Sequence, residues 1–177
     1  MPPQPRILIL TSFILLLSLS PDAATAEVRH NQEISKFKAQ VSSCHDGDTC
    51  KAEVNGRIVK IRLAGIDAPE IEQPEGLEAK KFLESLILKK TVVFDCKGKS
   101  YDRIVCLLSL DGVNINEEMV RRGFAFDYQK YSNGKYRTLM ETAQSKKTGI
   151  WKTLQKSPFC TRHAKSKACL SNSFYNQ

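Results

Sequence analysis

The sequence contains few of the residues that build a zinc site. No two cysteines form a Cys-x-x-Cys pair, and the three histidines, His30, His45 and His163, are scattered along the chain. Structural zinc sites usually use closely spaced cysteines and histidines. A zinc-binding fold is therefore the weaker explanation of the six cysteines.

The sequence also lacks an apolar run long enough to cross a membrane comfortably. Residues 7–19 form a run of 13, interrupted by three hydroxyl residues, whereas a spanning helix needs about 20. Arg6 precedes this run, and the small-x-small pattern of a signal-peptidase site follows at 24–26. We expect residues 1–26 to be a cleaved signal peptide and the protein to be secreted or periplasmic, without stable membrane association. An uncleaved N-terminal anchor is the alternative.

An even number of cysteines in an exported chain indicates disulfides. We predict three bonds between neighbours in the sequence: Cys44 with Cys50, Cys96 with Cys106, and Cys160 with Cys169. The first two pairs are symmetric about the centre of a predicted hairpin, which would place them opposite each other. Sequence alone permits about fifteen connectivities.

Internal repeats and low-complexity segments are absent too, and 177 residues suit a single domain. We place this domain at 27–155, followed by a basic tail at 156–177 that the last cysteine pair would pin. The net charge of +8 favours the capture of polyanions.

Alternating apolar and polar residues predict five strands. Their ranges are 37–44, 49–54, 57–64, 91–96 and 103–110. Gly47 is expected to take a positive φ in the first turn, and Asn55-Gly56 is a strong hairpin signal.

Three segments carry the apolar spacing of amphipathic helices. The first has Ala79, Leu83 and Ile87 on one face, the second follows the predicted N-cap Asn114, and the third includes Met140. The order β-β-β-α-β-β predicts an α+β, mainly β fold: a five-stranded OB-type barrel with three packed helices.

One stretch, 60–70, brings together residues suited to phosphodiester chemistry. Arg62 can grip a phosphate, Asp67 can hold a hard cation, and Glu70 can take a proton from water. Each has an ordinary alternative, since strand arginines often form ion pairs and acids after proline often lie on the surface.

Three motifs together resemble the thermonuclease family, whose founding member is staphylococcal (micrococcal) nuclease. They are His45-Asp46-Gly47-Asp48-Thr49, the stretch from Arg62 to Glu70, and Tyr101-Asp102-Arg103, and the similarity extends from Phe37 to Trp151. The resemblance implies a thermonuclease-like domain over 27–155.

The resemblance also implies a role for each matching residue. Asp48, Asp67 and the backbone carbonyl of Ala68 would bind one Ca²⁺, although the family has threonine where this chain has Ala68. Arg62, Glu70 and Arg103 would be catalytic. Tyr101, Tyr128 and Tyr131 would contact substrate, the last two across a one-residue gap in the match.

The implied function is an exported, Ca²⁺-dependent endonuclease that hydrolyses DNA and RNA with little sequence specificity and leaves 3′-phosphates. We expect a monomer. Two alternatives stay open: a non-catalytic OB-fold module that binds nucleic acid, and an exported disulfide-rich protein whose basic surface binds anionic polymers.

Overall fold

The computed structural model describes residues 36–153, 158 and 160. Its strands are β1 Phe37–Cys44, β2 Thr49–Val54, β3 Arg57–Leu63, β4 Ile66–Asp67, β5 Thr91–Ser100, β6 Arg103–Leu110, β7 Val113–Asn114 and β8 Phe126–Asp127. Its helices are α1 Gly76–Ile87, α2 Ile115–Arg121, α3 Gln129–Ser132, α4 Arg137–Ser145 and a 3₁₀-helix Gly149–Lys152.

The five long strands form a closed barrel. Strands β1, β2 and β3 make an antiparallel meander, and β1 continues the sheet through β5 to β6. A parallel pairing between β3 and β6 closes the barrel, with Arg62 beside Val105. The predicted α+β, OB-type barrel is therefore confirmed.

Two glycine-containing turns position the first three strands. Asn55 and Gly56 have φ values of 52° and 72°, as a type I′ hairpin turn requires. The positive φ predicted for Gly47 is wrong, because Gly47 does not have a positive φ. A Cβ at Gly47 would instead lie 2.7 Å from the Cβ atoms of both Ala68 and Ala79, so this position needs glycine for space.

The predicted helices correspond to α1, α2 and α4. Helix α1 buries Ala79, Leu83 and Ile87 against the barrel, and the Asn114 side chain caps α2 by accepting from Glu117 N at 3.0 Å. The short helix α3 is an addition to the prediction. Strand β5 runs to Ser100, beyond its predicted end, because a register shift between Cys96 and Gly98 lets the pairing continue.

The predicted disulfide between Cys96 and Cys106 is confirmed, and it joins directly opposed residues of β5 and β6. The predicted bond between Cys44 and Cys50 is wrong. These residues oppose each other across β1 and β2, but both are free thiols in the core, where cysteine packs as a small apolar side chain. Cys160 is disulfide-bonded, and its predicted partner Cys169 lies outside the described residues, as does the predicted signal peptide.

Aromatic contacts join α1 to the segment after α2, and β8 to the 3₁₀-helix. Phe82 of α1 stacks on Phe124 at 4.2 Å between ring centroids, and Phe126 contacts Trp151 at 4.5 Å. Trp151 is buried. None of the helices described between residues 36 and 153 is long and apolar enough to span a membrane.

Candidate active site

The end of β3 brings one guanidinium against two carboxylates. Arg62 Nη2 lies 3.0 Å from Asp48 Oδ2 and 3.6 Å from Asp67 Oδ1. The same guanidinium donates to the backbone oxygens of Leu63 and Ile66, each at 2.7 Å. The turn after β3 therefore fixes the orientation of Arg62, and the guanidinium offsets charge that two buried carboxylates would otherwise leave uncompensated.

Asp48 reaches this cluster from the turn between β1 and β2. Its Oδ2 accepts a hydrogen bond from Ala68 N at 2.8 Å, and its Oδ1 accepts from Thr49 Oγ1 at 3.0 Å. Leu63 N donates to the backbone oxygen of Asp48 at 2.8 Å. Side chain and backbone thus tie the hairpin turn to the segment that carries Asp67.

Arg103 enters from β6, the strand that closes the barrel. Its Nη1 donates to Thr49 Oγ1 at 3.3 Å, and this hydroxyl in turn donates to Asp48. The parallel pairing of β3 with β6 places Arg103 one position before the Ile61–Ile104 pair. The two predicted catalytic arginines consequently meet the same Asp48-Thr49 pair from neighbouring strands.

Asp102, immediately before Arg103, forms an exposed ion pair. Lys60 Nζ lies 2.5 Å from Asp102 Oδ2, and this hydrogen bond holds the pKa of Asp102 below its ordinary value. The charge of the acidic side chain next to Arg103 is therefore balanced by Lys60.

Asp46 also belongs to the cluster, although the sequence analysis assigned it no role of its own. Its Oδ1 accepts from the backbone N–H groups of Asp48 at 2.9 Å and Thr49 at 2.7 Å. Burial raises the pKa of Asp46 to about 7, and the charges of Asp48 and Glu70 act in the same direction. The Asp-x-Asp-Thr spacing could have revealed this role, because an aspartate often accepts from backbone N–H groups two and three residues later.

Glu70 lies in the turn that follows β4. Its charge contributes to the raised pKa of Asp46, so the two carboxyl groups belong to one electrostatic neighbourhood. Gln73 N and the Gln73 side chain both bond to the backbone of Glu70. The Glu70 carboxylate therefore acts on the charge of Asp46 from a turn other than the one that carries Asp46 and Asp48.

The three predicted substrate tyrosines occupy two places. Tyr101 is 95% exposed at the turn between β5 and β6, with a φ of 56°. Tyr128 and Tyr131 are in edge-to-face contact, 4.9 Å between centroids, and Tyr128 N donates to Gly65 O at 3.0 Å. One aromatic side chain thus flanks Arg103, and a pair flanks the turn between Arg62 and Asp67.

A buried amide that the sequence analysis missed holds two of these elements together. Asn116 Oδ1 accepts from Leu108 N at 2.9 Å, and its Nδ2 donates to Ala64 O at 2.9 Å. The sequence feature that could have revealed this role is a polar residue on the apolar face of α2, between Ile115 and Met119. Asn116 links the end of β3 to β6, the two strands that carry the arginines.

The donor set around Asp48 fits a hard cation such as Ca²⁺. The Asp48 and Asp67 side chains are only 7% and 5% exposed and share one guanidinium, and all the candidate ligands are oxygens. Within the described part of the chain, no three His, Cys, Asp or Glu side chains lie close enough to hold a metal on their own. A bound Ca²⁺ would therefore need backbone and water oxygens besides the two aspartates, which calcium coordination accommodates.

Comparison with known proteins identifies the family that has this site. The model of the staphylococcal nuclease homologue family matches residues 60–153. The chain belongs to this family. The matched segment contains Arg62, Asp67, Glu70 and Arg103, while Asp48 precedes it and joins the cluster through the contacts described above.

Bacterial relatives support the same family. An uncharacterized endonuclease of Haemophilus influenzae is 36% identical over 149 residues, covering 82% of this chain and 79% of the relative. An uncharacterized endonuclease of Escherichia coli is 35% identical, covering 68% of this chain and 81% of the relative. The micrococcal nuclease of Shigella flexneri is 30% identical, covering 65% and 74% respectively.

Proposed function

We propose that this protein is an exported, Ca²⁺-dependent endonuclease that hydrolyses DNA and RNA with little sequence specificity and leaves 3′-phosphates. Its family and relatives make it a nuclease, a hydrolase acting on phosphodiester bonds. The observation that carries the proposal is the meeting of Arg62 and Arg103 at the Asp48-Thr49 pair.

The two arginines suit the charge of the substrate. A phosphodiester is an anion, and it gains further negative charge as water attacks. An arginine has five N–H donors, and those of Arg62 and Arg103 that do not bond within the protein can bind phosphate oxygens. A Ca²⁺ ion held by Asp48, Asp67 and the Ala68 carbonyl would add positive charge to the same place.

Glu70 supplies the basic group of the reaction. Its carboxylate accepts a proton from the attacking water, whose oxygen forms the new bond to phosphorus. The bond between phosphorus and the 5′ oxygen breaks, and that oxygen takes up a proton from solvent water as it leaves. The phosphate consequently stays on the 3′ side of the cut.

Weak sequence preference follows from the kind of contacts available. Arginine contacts to phosphate position a strand but carry no base information. Tyr101, Tyr128 and Tyr131 offer aromatic surfaces, and stacking on such surfaces tolerates any base. Single-stranded or flexible nucleic acid should be cut fastest, because it reaches the in-line geometry most easily.

Export and a monomeric state complete the proposal. The apolar run and small-residue site within 1–26 support cleavage of a signal peptide. A disulfide between Cys96 and Cys106 suits an oxidising space. We place the mature protein in the periplasm or the medium, acting as a single chain.

A digestion experiment tests the activity. The mature protein is incubated with labelled single-stranded DNA and RNA, with Ca²⁺ or with a chelator, and the termini of the products are mapped. We expect cutting only with Ca²⁺, 3′-phosphate ends, and a large loss of turnover in the Glu70→Gln variant. Folded protein that binds DNA but never cuts it would instead identify a non-catalytic OB-fold module.

A further inference from the structure

A single residue, Gln73, satisfies both backbone polar groups of Glu70. Gln73 N donates to Glu70 O at 2.9 Å, which closes a turn over residues 70–73. The Gln73 side chain then returns to the start of that turn, where its Oε1 accepts from Glu70 N at 2.8 Å. Pro74 follows directly, and a proline disfavours the α region for the residue before it.

The start of α1 packs closely against the same turn. Gly76 N donates to Gln73 O at 3.1 Å. A Cβ at Gly76 would lie 1.9 Å from Glu70 O and 2.7 Å from its carbonyl carbon, so glycine is required for this close approach. Helix α1 is itself anchored by Ala79, Leu83 and Ile87 in the core. The backbone of Glu70 is therefore held from both sides by a rigid part of the fold.

We propose that Gln73 is a positioning residue that aims the Glu70 carboxylate at the attacking water, with Gly76 providing the surface on which the turn rests. The inference depends on the proposed nuclease function, because it assigns Glu70 a task in that reaction. Holding a reacting group in place contributes much of catalysis, and a displacement of about 1 Å can cost roughly 100-fold in rate. A bound Ca²⁺ would be held by Asp48, Asp67 and the Ala68 carbonyl. The hydrogen bonds of Gln73 go to Glu70 and Gly76 instead, so positioning and metal binding are separable.

A matched pair of variants tests the role of the Gln73 oxygen. The Gln73→Met variant keeps the length of the side chain but removes the acceptor, and we expect kcat to fall roughly 10- to 100-fold. KM for single-stranded DNA and the Ca²⁺ affinity measured by calorimetry should both stay within about twofold, because the contacts that set them are elsewhere. The Gln73→Glu variant retains an acceptor oxygen and should recover most of the lost kcat.

Two further measurements distinguish positioning from a general loss of stability. Amide hydrogen exchange at Glu70 should accelerate in the Gln73→Met variant and return towards normal in the Gln73→Glu variant. The Gly76→Ala variant should lower kcat comparably, since its Cβ displaces the Glu70 carbonyl although alanine favours helices. The control is Gln40→Ala, which removes a hydrogen bond from an exposed side chain to Lys89 O and should leave kcat unchanged.

The outcomes separate this inference from the function on which it rests. If the wild type cuts DNA and Glu70→Gln does not, an unchanged kcat in the Gln73→Met variant overturns the positioning role alone. Equal losses in the Met and Glu variants also overturn it, because the acceptor oxygen would then be irrelevant. A folded wild type that leaves DNA intact with Ca²⁺ overturns the function and the inference together.

Discussion

Arg62 serves the folded protein as well as the proposed reaction. Its guanidinium lies between the carboxylates of Asp48 and Asp67, whose side chains are almost entirely buried. Without a cation, two carboxylates so close together would repel each other and lose hydration. The arginine that we expect to bind phosphate is therefore also a structural counter-charge.

The Arg62→Met variant should reveal this structural role. In chelator we expect it to lower the free energy of unfolding by about 3–5 kcal/mol, because two buried carboxylates lose their partner. With Ca²⁺ the loss should be smaller, since a bound ion supplies the missing charge. Urea unfolding in both conditions measures the difference. Arg122→Met, which breaks an exposed pair with Glu118, is the control and should cost only about 0–1 kcal/mol.

The reactivity of the Cys44 and Cys50 thiols tests whether these two residues are free. Burial raises the pKa of the Cys44 thiol to about 12 and that of Cys50 still higher. Because the thiolate is the reactive form, neither side chain should react with a disulfide reagent at pH 8 in the native protein. Two thiols per chain should react once denaturant is added. Finding none after denaturation would restore the disulfide that the sequence analysis predicted.

The residues that perform chemistry were easier to predict than the residues that hold them. Arg62, Asp67 and Glu70 occur in one short stretch, so their types and spacing already indicated phosphodiester chemistry. Asp46 and Gln73 act through hydrogen bonds to backbone groups, which depend on how a turn folds. Composition also could not separate free from bonded cysteines, because directly opposed pairs occur in both hairpins and only one pair is bonded.

Among the elements, the β5–β6 hairpin positions Arg103, the second predicted catalytic arginine. The disulfide between Cys96 and Cys106 crosses this hairpin, and Tyr101 and Arg103 lie within the loop that it closes. A crosslink of this length restricts the unfolded chain and limits local opening of the hairpin. The hairpin should therefore present Arg103 with little backbone movement.

Replacing Cys96 and Cys106 by alanine tests this role. We expect the free energy of unfolding to fall by about 3 kcal/mol, as the loop-entropy relation gives for a loop of this size. Amide exchange should increase most between Tyr101 and Arg103. Denaturant titration and exchange measured by mass spectrometry provide the two readouts. Unchanged protection at the turn would show that strand pairing alone orders it.

The long elements were predictable and the short ones were not. The five barrel strands and helices α1, α2 and α4 each have enough residues for their apolar spacing to stand out. The two-residue strands β4, β7 and β8 exist only through partners elsewhere, as when Ile66 pairs with Asp127. The extension of β5 depends on a bulge after Cys96, and a single sequence carries no clear signal for such an irregularity.

For the whole molecule, the net charge of +8 should make nucleic-acid binding strongly salt-dependent. For single strands the slope of log K against log salt concentration is about −0.7 per phosphate contact. Adding Arg103→Gln to the Glu70→Gln variant should therefore weaken that slope by about 0.7. Fluorescence anisotropy with a labelled oligonucleotide in chelator measures it. Arg122→Gln on the same background should keep the slope, and a common slope in all three proteins would remove Arg103 from the phosphate contacts.

The parallel closure of the barrel has a consequence for when the protein can act. Arg62 lies on β3, but Arg103 is brought beside it only when β6 docks on β3. A chain that is still being synthesised, or that crosses a membrane unfolded, therefore has no assembled pair of arginines. Such a chain would pass the nucleic acid of its own cell without cutting it. The activity proposed here would begin only where folding finishes.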